Sequence, residues 1–285
     1  MITIPEGVDI AGTYCVEARI GAGAFGTVYR VRHRFLGRMA LKLVPCGTEE
    51  ELERLALEGA AHARLSHRNI TRVFDVNTTE VGGERVLYIA SEYMPVGDLD
   101  SYLAQVHRLP LAECAVLADD VLSALSYSHE REAPVFHRDI KPANIFLGGE
   151  KEVVFKLGDF GVSAELRNRE ERITAAAGTV MFQAPECAFG PYLAQSDVYG
   201  AAFVLFRALT GTYPYPVGVN SGDSWTQRLK QRPSLPSRFS LDCSRELDEV
   251  MIRALSPDPF ERYSSPGAFQ LAILAVLPKR ASARL

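Results

Sequence analysis

His137-Arg138-Asp139-Ile140-Lys141-Pro142-Ala143-Asn144 crowds a carboxylate, an ammonium and an amide into six positions, and fifteen residues after Asn144 stands Asp159-Phe160-Gly161. Pro142 has no backbone N–H and forbids a simple helix here, so these side chains must project from a constrained loop. Residues 153–157 read as a short strand running into Asp159. Asp139 could accept a hydroxyl proton, and Lys141 could steady charge on a transferred phosphoryl group. Asn144 and Asp159 offer hard oxygen donors of the kind Mg2+ takes together with phosphate oxygens. Taken singly, each also fits a plain structural role: Asp139 as a loop cap, Asn144 as a turn residue, Asp159 as a strand-end acid. The residues upstream decide between the two readings.

Gly21-Ala22-Gly23-Ala24-Phe25-Gly26 fits G-x-G-x-x-G. A dinucleotide fold would require a helix directly after the third glycine and an acid about 20 residues on. Thr27-Val28-Tyr29-Arg30-Val31 follows instead, rich in β-branched and aromatic side chains, so a hairpin continues. Sixteen residues beyond Gly26 sits Lys42, a cation where that acid would stand. Glycines let backbone close over phosphates and a fixed ammonium offsets their charge. Alone, the stretch would be a Gly-rich β-turn. Placed in order before the two acidic loops, it reads as a phosphate cradle.

Working outward, residues 14–93 read mostly as short strands, with 29–32, 39–44 and 86–90 the clearest. One helix interrupts them. Thr48 followed by Glu49-Glu50-Glu51 matches an S/T-x-x-E capping box, and Leu52, Leu55, Ala56, Gly59 and Ala63 keep helical spacing. After Pro95, residues 98–131 and 194–277 are dominated by helical patterns, with 119–129 and 197–209 the most apolar. No period of 20 to 50 residues repeats, which excludes a solenoid.

Composition narrows the function class. The chain has 285 residues, 47% hydrophobic and 23% charged, a globular profile that can bury a full core. A net charge of −4 argues against a general nucleic-acid binder. Five scattered cysteines, none paired as C-x-x-C, point to a reducing compartment rather than a disulfide framework or thiolate metal site. Residues 1–11 show no secretory pattern, and the longest apolar runs fall short of a membrane span, which predicts a cytoplasmic location. Only six of the 31 basic residues are lysine, so a lysine in a special place, such as Lys42 or Lys141, carries weight.

The motifs together resemble the eukaryotic-type (Hanks-type) serine/threonine protein kinase family, over essentially the entire chain. The resemblance implies an α+β, two-lobed protein kinase fold. A small β-rich N-lobe with one key helix would occupy 1–94, and a larger, mainly helical C-lobe 95–285, together one kinase domain over 14–277. It implies ATP and Mg2+ as cofactors and Ser/Thr-bearing proteins as substrates, with neither nucleic acid nor a membrane span involved and the oligomeric state open. Gly21, Gly23 and Gly26 would cover the ATP phosphates, and Val28, Ala40 and Phe146 would enclose the adenine. Lys42, in Met39-Ala40-Leu41-Lys42, would meet the α- and β-phosphates and pair with Glu58, which stands at family spacing from His67-Arg68-Asn69-Ile70. Glu50, Glu51 and Glu53 would be surface charge. The Glu92-Tyr93-Met94 backbone would read the adenine edge, and Asp98 the ribose. Asp139 would be the catalytic base, Lys141 its neighbour on the phosphoryl group, and Asn144 and Asp159 the metal ligands.

Further along, Gly178-Thr179-Val180-Met181-Phe182-Gln183-Ala184-Pro185-Glu186 resembles G-T-x-x-Y-x-A-P-E, with Phe182 in place of Tyr. Glu186 would pair with Arg262 of Asp258-Pro259-Phe260-Glu261-Arg262, and Asp197 would bond the catalytic-loop backbone. Lys-Pro-x-Asn after the base, with Thr179, resembles the serine/threonine branch and implies autophosphorylation. Ser163, Thr174 and Thr179 are acceptor candidates, and Thr174, beside Arg172, is the expected switch that a phosphate would pair with Arg138. His62 departs from an apolar family position and is read as a satisfied core histidine. Ser91 is small where a bulkier residue often guards the rear of the ATP pocket. Ser282 lies in a basic tail. The competing classes are a small-molecule phosphotransferase, which usually lacks the K-P-x-N and A-P-E features, and a pseudokinase, which would normally have lost Lys42, Asp139 or Asp159.

Overall fold

The computed structural model describes residues 3–23, 26–149, 152–160, 181–188, 190–215 and 228–279. Gly161, Ser163, Thr174, Thr179 and Ser282 lie outside the described residues. The chain separates into two compact units, Met1–Pro95 and Val96–Leu285.

The first unit is built on one antiparallel sheet. Its strands are β1 (Asp9–Ile10), β2 (Tyr14–Gly23), β3 (Gly26–His33), β4 (Gly37–Pro45), β5 (Val73–Val81) and β6 (Glu84–Glu92), in spatial order β1-β2-β3-β4-β6-β5. The register sorts its residues into two faces, because partners in a ladder share a side and neighbours along a strand alternate. Tyr29, Val31, Met39, Leu41, Leu43, Tyr88 and Ala90 all point one way and pack with Ile4, Ile10, Tyr14 and Val16 into a buried cluster. Polar groups inside that cluster are partnered. Tyr14 and Tyr88 both donate their hydroxyl protons to Asp75 Oδ2, at 3.0 and 2.9 Å. Burial, then the Asp75 hydrogen bond and charge, pushes the Tyr88 phenol up to about 12.

Helix α1 (Glu49–Ala63) covers the opposite face of β5 and β6. Thr48 caps it as the sequence predicts, accepting from Glu51 N at 3.1 Å. The box closes differently: the Glu51 carboxylate accepts from Gly47 N at 2.9 Å rather than from Thr48, so one expected surface charge is a capping group. The buried stripe is Leu52, Leu55, Gly59 and His62, spaced 3, 4 and 3, the signature of one helix face. His62 replaces the predicted Ala63 at its end. Its ring is 4% exposed and its Nε2 lies 3.1 Å from Thr71 O, so it is indeed a satisfied core histidine.

Gly59 sets how closely α1 can lie. A Cβ there would meet Val76 Cγ1 at 2.9 Å and Cγ2 at 3.3 Å. Valine is stiff at χ1 and cannot swing away cheaply. Gly59→Val therefore overpacks the contact and should destabilise the unit by about 1–3 kcal/mol. Urea unfolding of the variant, with Gly59→Val/Val76→Ala recovering part of the loss, checks this. Equal costs with and without Val76→Ala would disprove the contact's role.

The second unit carries helices α2 (Leu99–Val106), α3 (Leu111–His129), α4 (Ala194–Thr210), α5 (Arg245–Ala254) and α6 (Pro266–Val276), with a small sheet of β7 (Gly97–Asp98), β8 (Ile145–Gly148) and β9 (Val154–Leu157). The pattern over 98–131 is broken in two, since Pro110 caps α3 and cannot continue α2. Helices α3 and α4 are buried over most of their surface and form the centre, packed on each other and on α6, with α3 also against β9. No described helix is long and apolar enough to cross a membrane.

Candidate active site

The loop at 137–144 hangs on one carboxylate. Asp197, in the first turn of α4, is fully buried, and it accepts from His137 N at 2.9 Å, Arg138 N at 3.1 Å, His129 Nε2 at 2.8 Å and the Tyr192 hydroxyl. Burial alone would push its carboxyl up. The hydrogen bond and charge of His129, with His137 and Tyr192, hold it below the usual carboxylate value. Arg138 adopts φ +68° so that consecutive N–H groups converge on one acceptor, a left-handed geometry that is costly for a non-glycine residue. The expectation that Asp197 bonds this backbone is met. His129 and Tyr192 are partners that sequence reading missed.

His137 ties the loop to the Asp159 segment. Its buried ring accepts from Asp139 N through Nδ1 at 3.3 Å and donates Nε2–H to Gly158 O at 2.9 Å. Phe160 stacks obliquely on it at 4.6 Å. Burial lowers the pKa of this imidazole from 6.5, outweighing the opposing charges of Asp197 and Asp139. The unfolded chain then takes up a proton below about pH 6.5 that the folded domain refuses, so the stability His137 contributes is full above that pH and lost as pH falls beneath it. Unfolding free energy should rise as pH climbs towards about 6.5, less steeply in His137→Gln. Equal slopes for both proteins in urea titrations would contradict this.

The side chains at the end of this scaffold converge. Asp139 is 5% exposed; its Oδ2 accepts from Lys141 Nζ at 2.7 Å and from Asn144 Nδ2 at 3.1 Å, while Asn144 Nδ2 also reaches Asp139 O at 2.8 Å. Pro142 opens the 3₁₀ turn Pro142–Asn144 that turns Asn144 back onto Asp139. Gly158 N donates to Asn144 O at 2.9 Å, placing Asp159, at φ +58°, beside Asn144. An amide and a carboxylate on neighbouring segments could supply oxygen donors to Mg2+, which takes few protein ligands and completes its shell with phosphate and water. Phe146, half-buried in β8, pairs in register with Asp98 of β7. Asp98 caps α2: Oδ1 accepts from Ser101 N at 2.8 Å and Oδ2 from Ser101 Oγ at 3.0 Å.

In the first unit the candidates share the sheet face opposite the buried cluster. Val28 pairs with Lys42 and Gly21, Lys42 with Ile89, and Ala40 with Ser91. Ile89 also lies under Gly59 of α1, so Glu58 stands on a helix that covers this same face. Glu58 is largely buried, with Arg54 one turn before it at 4.0 Å. Gly26 pairs with Gly23 at the end of the hairpin and has φ +143°; a Cβ there would sit 2.1 Å from Leu43 O, so glycine is required. Glu92 ends β6 with its N–H on Arg72 O, and Met94 is buried just beyond it.

A second anchor holds segment 181–186. Arg262 meets Glu186 with two parallel bonds of 2.7 Å, and also donates to Ser256 O at 2.7 Å, Gln195 O at 3.0 Å and Pro257 O at 3.1 Å. The expected pair is therefore present. Phe182 is buried, edge-on to Phe203 at 5.3 Å and Tyr213 at 6.1 Å, so loss of the hydroxyl expected there leaves a packed apolar ring. A small pocket beside the loop is lined by Arg138, Asp139, Phe182, Gln183, Ala184 and Tyr192, among others.

A family model for the protein kinase domain matches residues 14–273. The chain belongs to the protein kinase domain family. This kinase domain is similar to the serine/threonine-protein kinase pkn3 of Myxococcus xanthus, 33% identical over 96% of the chain and 52% of that protein. It is likewise similar to the serine/threonine-protein kinase PknJ of Mycobacterium tuberculosis, 32% identical over 93% of the chain and 45% of that protein. It spans about half the length of these curated relatives. Among solved structures, the PknI kinase domain of M. tuberculosis matches with a TM-score of 0.71 and 29% identity, covering 95% of this chain and 98% of that one. The α+β fold with a β-rich first unit and a helical second unit agrees with that likeness.

Proposed function

We propose that this domain transfers the γ-phosphoryl group of ATP to serine or threonine hydroxyls of proteins. The observation that carries the reading is the cluster of Asp139, Lys141 and Asn144, tied by backbone to Asp159. In this reading Asp139 takes the proton of the attacking hydroxyl, which sharpens the oxygen as a nucleophile, and Lys141 steadies the charge gathering on the phosphoryl oxygens. Asn144 and Asp159 would hold Mg2+, which neutralises phosphate charge when bound. Lys42 would meet the phosphates, steadied by Glu58, under the cover of Gly21, Gly23 and Gly26. Val28, Ala40 and Phe146 would enclose the adenine, the Glu92–Met94 backbone would read its edge, and Asp98 has lone pairs to spare for the ribose beyond those bound by Ser101. The serine/threonine choice rests on Lys-Pro-x-Asn and on the relatives' names. Autophosphorylation and a cytoplasmic location belong to the same reading.

Labelled-phosphate transfer from Mg·ATP to casein, followed by phosphoamino-acid analysis, tests it. Label on serine or threonine is expected. Label on tyrosine alone, transfer only to a metabolite, or nucleotide binding without transfer would each overturn it.

A further inference from the structure

Arg228 is a buried cation far in sequence from every motif named above. It is 3% exposed, and its Nη1 donates to Met181 O at 2.9 Å and Gln183 O at 2.6 Å. Burying a guanidinium is expensive unless its donors are satisfied, so the contact must be held firmly in place. Tyr199 of α4 lies between the two anchors: the Arg228 charge acts on its buried phenol, and Arg262 lies over its ring at 4.8 Å. Segment 181–186 is thus gripped by a guanidinium at each end, Arg228 on the carbonyls at 181 and 183 and Arg262 on Glu186. The residues between those grips, Phe182, Gln183 and Ala184, line one small pocket together with Asp139.

We infer that Arg228 is a positioning residue for the polypeptide substrate, fixing the 181–184 backbone as the wall against which the hydroxyl-bearing residue is seated beside Asp139. The inference rests on the functional reading above and adds to it the device that sets substrate affinity. Both carbonyls are held by one nitrogen, Nη1, whose two N–H bonds are fixed in the guanidinium plane, whereas the ammonium of a lysine turns freely and fixes no such plane. Displacing a seating surface by about 1 Å can cost as much as 10²-fold in productive encounters.

The test is a steady-state comparison of wild type, Arg228→Lys and Arg228→Met with a casein-derived serine peptide, varying peptide and ATP separately. The expected result is a KM for peptide raised about tenfold or more in Arg228→Met and less in Arg228→Lys, with the KM for ATP within about twofold of wild type. A kcat loss at unchanged peptide KM, or a lowered melting temperature with both KM values unchanged, would show a structural role only and overturn the inference. Should Arg228→Met fail to fold, Arg228→Lys carries the same comparison. No transfer by the wild-type domain would defeat the underlying reading, a result distinct from a wild type that works and a variant whose peptide KM does not move.

Discussion

Asp139→Asn should reduce phosphoryl transfer by about 10²–10⁴-fold, the usual cost of losing a general base. The amide matches the carboxylate in shape but cannot take a proton at neutral pH, and it removes the anionic partner of Lys141 at 2.7 Å. The scaffold does not depend on that side chain, because His137 holds the Asp139 backbone N–H and Asp197 holds the two N–H groups before it. Melting temperature and nucleotide affinity should accordingly stay close to wild type while label incorporation collapses. A variant that still transfers at the wild-type rate would remove Asp139 from the chemistry.

Arg262→Met should be the most destabilising single change among the residues named here, costing roughly 3–5 kcal/mol. Arg262 has no exposed side-chain surface, and its removal takes the charged partner from the Glu186 carboxylate, leaving it the Ser196 hydroxyl at 2.7 Å, and the donor from the carbonyls of Ser256, Gln195 and Pro257. For a unit of this size the melting temperature should fall on the order of 10 °C. Glu186→Gln should cost less, since Arg262 would keep its three carbonyls and the Gln oxygen could still accept from it. The two singles, compared by thermal and urea unfolding, test the asymmetry. If Glu186→Gln proved the worse, the guanidinium's carbonyl bonds would have to be of little consequence.

The parts legible beforehand were those whose chemistry is compact in sequence. The 137–144 loop, the Asp159 segment and the glycine hairpin each announce themselves within a few residues, and the β-branched run after Gly26 was enough to separate a hairpin from a dinucleotide helix. What escaped were single residues that reach a site from far along the chain. His129 and Tyr192 approach Asp197 from the end of α3 and the segment before α4, and Arg228 approaches carbonyls more than forty positions away. No spacing rule marks such residues, because their partners are backbone atoms or one shared carboxylate. Local competition misled in smaller ways. Glu51 had a choice of N–H groups and took that of Gly47. Asp98, read only as a ribose ligand, stands three residues before Ser101 in an ordinary helix-capping arrangement that the sequence does display.

The phenol pair on Asp75 has a mechanical consequence. Tyr14 belongs to β2 and Asp75 to β5, which lie towards opposite margins of the six-stranded ladder, so the hydroxyl bond between them means the ribbon curls until those margins nearly touch. A ribbon clasped in this way cannot be peeled strand by strand from either side. Deuterium uptake at the amides of its outer strands should then track whole-unit opening, as it would in a closed hoop rather than in a flat sheet with fraying borders.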